Sequence, residues 1–354
     1  MINVIGFSLY GRMAASHRYR LGQYVEPLAQ QGIALEIQSL LDDDYLKTTF
    51  AGGAASRIGL AGAYARRVKA AVTAGRYDLA IVNCELLPLV PAAIEKSFLR
   101  IPYIYDFDDA FFLKYQHPRF KFARPFLANK FDSFVAGAAG VTAGNRMLLN
   151  YAQRWSANAH LLPTVVPTDR YVPRMRAPND RFTVGWVGSP STGVYLAMLR
   201  APLQALAAEA PLRLISVGAK AAPIDNVEVV NLPWDEHGEI DTINSFDVGV
   251  MPLTDDEWSR GKCAFKMIQY MACGVPAVAS AVGANIDVAE GGAALLARDE
   301  SEWIRALRRL RDDAAFRQAL GAAGRERIVA SYSLESAVPK MAQAIHSVAT
   351  RRLR

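Results

Sequence analysis

The chain has 354 residues, 51% of them apolar and 21% charged, which excludes disordered, collagen-like and low-complexity classes and leaves length for two globular domains. Forty Lys and Arg against 34 Asp and Glu give a net charge of +6, spread along the chain rather than gathered in one block, so nucleic acid is not expected as a partner. Cys84, Cys263 and Cys273 and the five scattered histidines have neither pairing nor metal-ligand spacing, so a reducing cytoplasm and no metal are expected.

From Met1 the chain enters an apolar run, Ile2 to Phe7, with no basic leader or cleavage signal. Ala34 to Ile37, Leu79 to Val82, Tyr103 to Tyr105 and Gly140 to Thr142 read as further buried strands, with amphipathic segments such as Arg18 to Gln31 and Leu60 to Ala74 between them. The most apolar stretch, Leu79 to Ile94, is interrupted by Asn83, Glu85 and two prolines, so no membrane span is expected. Four prolines and no sustained period mark Leu161 to Arg181 as a connector. Strand patterns then resume at Phe182 to Val187, Leu212 to Val217, Val227 to Asn231, Val248 to Met251 and Ala277 to Ala279. Strand and helix patterns that alternate in this way predict an α/β chain of two doubly wound parallel sheets. The expected domains are 1–165, with a C-terminal helix 335–354 that packs back on it, and 178–334. Such sheets bind ligands beyond the carboxyl ends of their strands, so chemistry is expected in a cleft between the domains.

One stretch stands out, "SRGKCAFKMIQYMACGVPAVAS" from Ser259 to Ser280. Lys262, Lys266, Gln269 and Cys273 fall at helical spacing on one stripe, opposite Ala264, Ile268 and Met271. A helix beginning near Gly261 would present free amide groups, a partial positive charge and two lysines to an anion such as a phosphate, and Gly274 and Pro276 would end it. The plain alternative is an amphipathic helix with its lysines in solvent.

The run "AFKMIQYMACGVPAVASAVG" resembles the donor-site signature of the retaining glycosyltransferases of family 4, whose pattern reads roughly Glu-x7-Glu followed by Ala-Met-Ala-x-Gly-x-Pro-Val-Val-Ala. "SHRYRLGQYVEPLAQQGI" resembles their first helix, "LLPTVVPTDRYVPR" their interdomain connector, and "FTVGWVGSPST" the first strand and loop of their donor domain. The resemblance implies the GT-B fold, two Rossmann-like domains facing each other across a cleft, with donor recognition in the second. It implies no metal and no cofactor; the nucleotide diphosphate sugar is a substrate.

Carried over by position, the two signature glutamates fall on Gly261 and Gln269, neither of which is a glutamate here. An amide at Gln269 can still hydrogen-bond a ribose, whereas the sugar contact would have to come from backbone amides of Lys262, Cys263 and Ala264. The family's Arg and Lys after the first donor-domain strand are replaced by Gly188-Ser189-Pro190-Ser191-Thr192, so Lys262, with Arg260 or Lys266, is expected to carry the countercharge. Lys220 is a further candidate, more simply read as a solvated loop lysine.

In the first half, "YIYDFDDAFF" places Asp106, Asp108 and Asp109 at a strand end, where Asp106 or Asp108 would orient an acceptor hydroxyl or support positive charge on the sugar. Capping of the next helix is the simpler role for Asp108 or Asp109. The loop Ser8 to Ala15 lacks G-x-G-x-x-G, against a nicotinamide dehydrogenase; Gly11 is expected at the donor phosphates and Arg12 near an anionic acceptor. "KYQHPRFKFARPFLANKF" mixes basic and aromatic residues in a way that suits the surface of an anionic membrane, which would put a cytoplasmic enzyme peripherally on its inner face.

The expected function is hexose transfer from a nucleotide diphosphate sugar to a hydroxyl of a glycan or lipid-linked acceptor, with retention, in cell-surface polysaccharide or glycolipid synthesis. The rivals are a non-hydrolysing nucleotide-sugar epimerase and a non-catalytic binder of nucleotide sugars or glycans. The epimerase would need acid and base carboxylates that the donor helix lacks; the binder is suggested by the missing glutamates.

Overall fold

A computed structural model describes residues 1–50, 52–175 and 179–350. The tail Arg351 to Arg354 and residues 176–178 of the connector lie outside the described residues. The chain divides into two units, one formed by Met1–Thr164 with the chain from Ala337 onward, the other by Val165–Ser336.

The first unit holds a six-stranded sheet: β1 (Ile2–Tyr10), β2 (Ile33–Leu41), β3 (Leu79–Asn83), β4 (Tyr103–Phe107), β5 (Gly140–Ala143) and β6 (Ala159–Leu161), in spatial order β2-β1-β3-β4-β5-β6. The second holds β7 (Phe182–Val187), β8 (Leu212–Val217), β9 (Val227–Leu232), β10 (Val248–Met251), β11 (Ala277–Ser280) and β12 (Leu295–Ala297), in order β12-β11-β10-β7-β8-β9. All pairings are parallel. Both sheets are therefore α/β and doubly wound, as expected. Every residue of β3, β4, β5, β7, β10 and β11 is buried, because helices cover both faces of a parallel sheet; that is why these strands read as continuous apolar runs rather than as alternation.

Every expected strand is present. β6 and β12 were not expected, being three-residue edge strands too short to leave a periodic signal. The expected helix Arg18 to Gln31 is instead broken into a wide π-type turn His17–Leu21, a 3-10 turn Gly22–Tyr24 and a short α-helix Val25–Ala29. Gly22 and Pro27 weaken the ladder, and Arg20 turns inward to reach Asp106.

In the second sheet the chain runs outward from β7 through β8 to β9, then returns to the other side of β7 with β10. Connections leave β7 and β10 in opposite directions, so a crevice opens beyond their carboxyl ends. The segments that follow these two strands begin at Gly188 and Pro252.

Candidate functional site

The segment after β10 does not form the single helix that its spacing predicts. A four-residue helix, Glu257–Arg260, is capped by Asp256, whose Oδ1 accepts from the Ser259 amide at 2.8 Å, and it ends at Gly261. Ala264 then takes a left-handed backbone (φ 55°, ψ 23°) and turns the chain into a second helix, Phe265–Ala272. The expectation that Lys262, Lys266, Gln269 and Cys273 share one polar stripe is therefore corrected. Lys262 lies upstream of the turn, so helical spacing does not carry across it, and Gln269 and Cys273 are buried. Gly261 closes a helix rather than opening one, and Cys263 and Ala264 are also buried.

Lys266, on the first turn of the second helix, is half-buried and reaches back to β7, its Nζ 5.5 Å from the centre of the Trp186 ring. Lys262 makes the same kind of contact with Trp258, also at 5.5 Å. Gly188 packs into the Lys266–Trp186 contact. A methyl group on Gly188 would stand 2.7 Å from Lys266 Cε and overlap the indole. Trp186 and Gly188 are two residues apart and so face the same side of the strand. The Gly188 amide donates to Val217 O at 2.9 Å, and Gly218, at φ 81°, lies so close to Gly188 O that no Cβ fits there.

The loops after β7 and β10 meet again where Tyr195 Oη and Ser259 Oγ hydrogen-bond at 3.2 Å. Ser189 is exposed, its Oγ 2.9 Å from Ser191 Oγ, and Lys220 is exposed. The second helix is aligned by Tyr270, whose hydroxyl accepts from the Val187 amide at 2.9 Å. Two lysines and a helix N-terminus thus belong to the segments at the carboxyl ends of β7 and β10, a combination that suits an anion.

Gln269 is 2% exposed, and its Nε2 donates to Tyr171 Oη at 3.0 Å. Tyr171 Oη donates its one proton to Glu239 Oε2 at 2.8 Å, while Glu239 Oε1 accepts from Trp234 Nε1 at 2.8 Å. A phenol that has spent its proton on Glu239 needs a donor from its other neighbour. An amide supplies one and a carboxylate cannot, which accounts for glutamine where the family pattern has glutamate. A carboxylate is still held in this network, contributed by Glu239 from another element.

In the first unit, Asp106 was expected at the rim; it is instead fully buried. Its Oδ1 accepts from Arg20 Nη2 and from Thr142 Oγ1 at 2.7 Å, and its Oδ2 from Arg20 Nε at 3.1 Å and Asn83 Nδ2 at 2.8 Å. With both oxygens doubly engaged, the carboxylate braces β3, β4 and β5 against the Arg20 turn, and the expectation of a substrate-facing Asp106 is corrected. Asp108 fits a proton-handling role better. It is half-buried, and burial, helped by the charge of Asp109 and opposed by Arg20, pushes its carboxyl up to about 7.

Gly11 is buried against Asp43: a Cβ on it would overlap the Asp43 carboxylate, which accepts the Met13 amide at 2.8 Å. An acidic group thus stands beside Gly11. Arg12 is exposed. Among the described residues no cluster of His, Cys, Asp or Glu has metal-holding geometry.

Residues 181–313, less than half of the chain, match the family model described as Glycosyl transferases group 1. The match lies within the second unit. No curated protein matches the chain in sequence. Among solved structures, the Anabaena protein HepE in complex with UDP-glucose is similar at a TM-score of 0.70 and 14% identity, over 98% of this chain and 100% of that one. Sucrose-phosphate synthase from Thermosynechococcus elongatus is similar at 0.67 and 17%, over 100% and 99%. The α,α-trehalose 6-phosphate synthase of Burkholderia multivorans follows at 0.66 and 15%, over 99% and 100%. At such identities the likeness establishes the GT-B fold. The matched segment includes Gly188, Gly218, Glu239, Lys262, Lys266 and Gln269. Gly218 had a readable signal, a glycine directly after the strand-like "LISV"; Trp186 was quoted as part of a strand, with nothing to mark its ring for a cation. Tyr171 and Glu239 had no signal, since only folding brings residues 68 positions apart into contact.

Proposed function

We propose that this glycosyltransferase moves a hexose from a nucleotide diphosphate sugar to a hydroxyl of a glycan or lipid-linked acceptor, with retention and without a metal, in cell-surface polysaccharide or glycolipid synthesis. The observation that carries the reading is the convergence of Lys266, Trp186 and Gly188 beyond β7, where a diphosphate would meet a cation already held in place. As the sugar–phosphate bond breaks, negative charge grows on the leaving diphosphate. In this reading Lys266, Lys262 and the N-terminus of helix Phe265–Ala272 offset it. Asp108, whose carboxyl titrates near neutrality, is the residue of the first unit suited to accept a proton from the acceptor hydroxyl. Residence at the inner face of an anionic membrane belongs to the same reading, because a lipid-linked acceptor is held in a bilayer.

The test is a panel of nucleotide sugars added without metal. UDP-glucose comes first because the Anabaena neighbour was solved with it. A donor that binds the native protein raises its melting temperature by mass action, and release of the nucleoside diphosphate on adding acceptor reports transfer. Stabilisation without any release would favour a non-catalytic binder, the reading that Gly261 and Gln269 support by lacking carboxylates. Isomerised nucleotide sugar formed without acceptor would mean an epimerase.

A further inference from the structure

We infer that the loop carrying Arg119, Lys121, Phe122, Arg124 and Phe126 docks the first unit on an anionic lipid bilayer. From Ala110 to Phe131 the sequence contains five Lys or Arg and no Asp or Glu. Two of the cations, Lys114 and Lys130, are turned inward. Lys114 pairs with Glu85, and Lys130 Nζ lies 3.1 Å from Glu85, 2.7 Å from Glu95 and 2.7 Å from Leu87 O. The other three, Arg119, Lys121 and Arg124, are exposed and form no ion pair with a described residue.

The aromatic residues divide in the same way. Tyr115 is buried, donates to Glu85 Oε1 at 2.6 Å, and packs against Phe120 and Phe131 at ring separations of 5.1 and 5.8 Å. Phe122 and Phe126, by contrast, are 84% and 73% exposed, within a loop pinned at both ends by that buried ionic cluster. Leu89, 57% exposed, holds a left-handed backbone (φ 62°) and donates its amide to Tyr115 Oη at 2.9 Å.

Exposed phenylalanines on an anchored loop mark a surface that is covered in use. Flanking cations without a single acid select a partner that is apolar within and anionic at its surface, which describes an anionic bilayer: the rings enter the headgroup boundary and the cations meet lipid phosphates. No helix of the described chain is long and apolar enough to cross a membrane, so this contact would be peripheral.

The inference rests on the membrane part of the proposed function but not on its chemistry, and the test separates the two. The full-length protein, without nucleotide sugar, is sedimented with vesicles of phosphatidylcholine alone and of phosphatidylcholine mixed with phosphatidylglycerol. Binding to the mixed vesicles only, weakened by salt, is expected. The pairs Phe122→Ser with Phe126→Ser and Lys121→Gln with Arg124→Gln should each weaken it by about tenfold or more. Both pairs should keep the wild-type melting temperature and its rise with donor. Failure of the wild type to bind mixed vesicles, or undiminished binding by the phenylalanine pair, overturns the inference. So does a concentration-dependent dimer, seen by light scattering, that disappears in the phenylalanine pair, because it would assign the patch to a second copy of the chain. Loss of donor stabilisation in the wild type would instead count against the proposed function alone.

Discussion

Lys266 Nζ stands 5.5 Å from the centre of the Trp186 ring, so the first turn of helix Phe265–Ala272 is tied to the carboxyl end of β7 by a cation lying over an aromatic face. The half-buried ammonium is held in place before any ligand arrives. A diphosphate binding there would pay little to organise its countercharge.

Lys266→Met tests this, since it keeps the aliphatic stem on the indole and removes only the charge. The nucleotide-free protein should lose no more than about 2 kcal/mol of stability, the worth of a partly desolvated cation–π contact. Donor affinity should fall by about tenfold or more. Unchanged donor affinity in a calorimetric titration would remove Lys266 from the site.

Asp106 and Asp108 should respond oppositely to the same change. Asp106→Asn leaves Arg20 buried without its counter-ion and should destabilise by roughly 3–5 kcal/mol in urea unfolding. Asp108 is an acid whose folded pKa is raised, so ionising it costs stability that is progressively lost as pH rises through about 7. Asp108→Asn should therefore be neutral or stabilising at pH about 8, while transfer falls by about a hundredfold or more if the carboxyl takes the proton. A stable, inactive Asp106→Asn would reverse these assignments.

Gln269→Glu restores the family's residue and should nevertheless harm this chain. Tyr171 has one hydroxyl proton and would then face two carboxylates, Glu239 and the new one, so one buried oxygen loses its partner. The expected cost is about 1–3 kcal/mol above neutral pH, smaller in acid, where a shared proton relieves it. Equal stability of the two proteins at pH about 8 would contradict the proton count.

Glu95 gives stability a pH dependence of known sign. Burial pushes its carboxyl up from 4.5 to about 7 despite Lys130, and its Oε2 has no hydrogen-bond partner. The folded protein therefore binds this proton more tightly than the unfolded chain. The contribution is fully present below pH 4.5 and lost as pH rises through about 7. Stability of the wild type relative to Glu95→Gln should fall by up to roughly 3 kcal/mol between pH about 5 and 8. Taking the difference removes His17 and Asp108, which titrate in overlapping windows. Glu85, held low by Lys130 and Lys114 against the opposing effect of burial, acts with the opposite sign and only below about 4.5. A flat difference would show that Glu95 is ionised throughout.

Much of this protein was written in local pattern. Apolar runs such as Leu79 to Val82 and Phe182 to Val187 stated that strands exist and that both faces are covered, because burial on two sides leaves no polar position in the period. The stretch from Ser259 to Ser280 stood out by its spacing, and Gly188 by its place directly after a strand-like run. Only the tertiary structure decided what those residues do. A single left-handed residue, Ala264, voids the spacing rule that put Lys262, Lys266 and Gln269 on one face, and no periodicity can announce such a reset. Likewise Asp106 became a buried brace through Arg20, 86 positions away, and Gln269 a proton donor through Tyr171, 98 positions away. Hydrogen-bond partners of that kind follow from which strands lie side by side, and strand order is a property of the folded sheet rather than of any window of sequence.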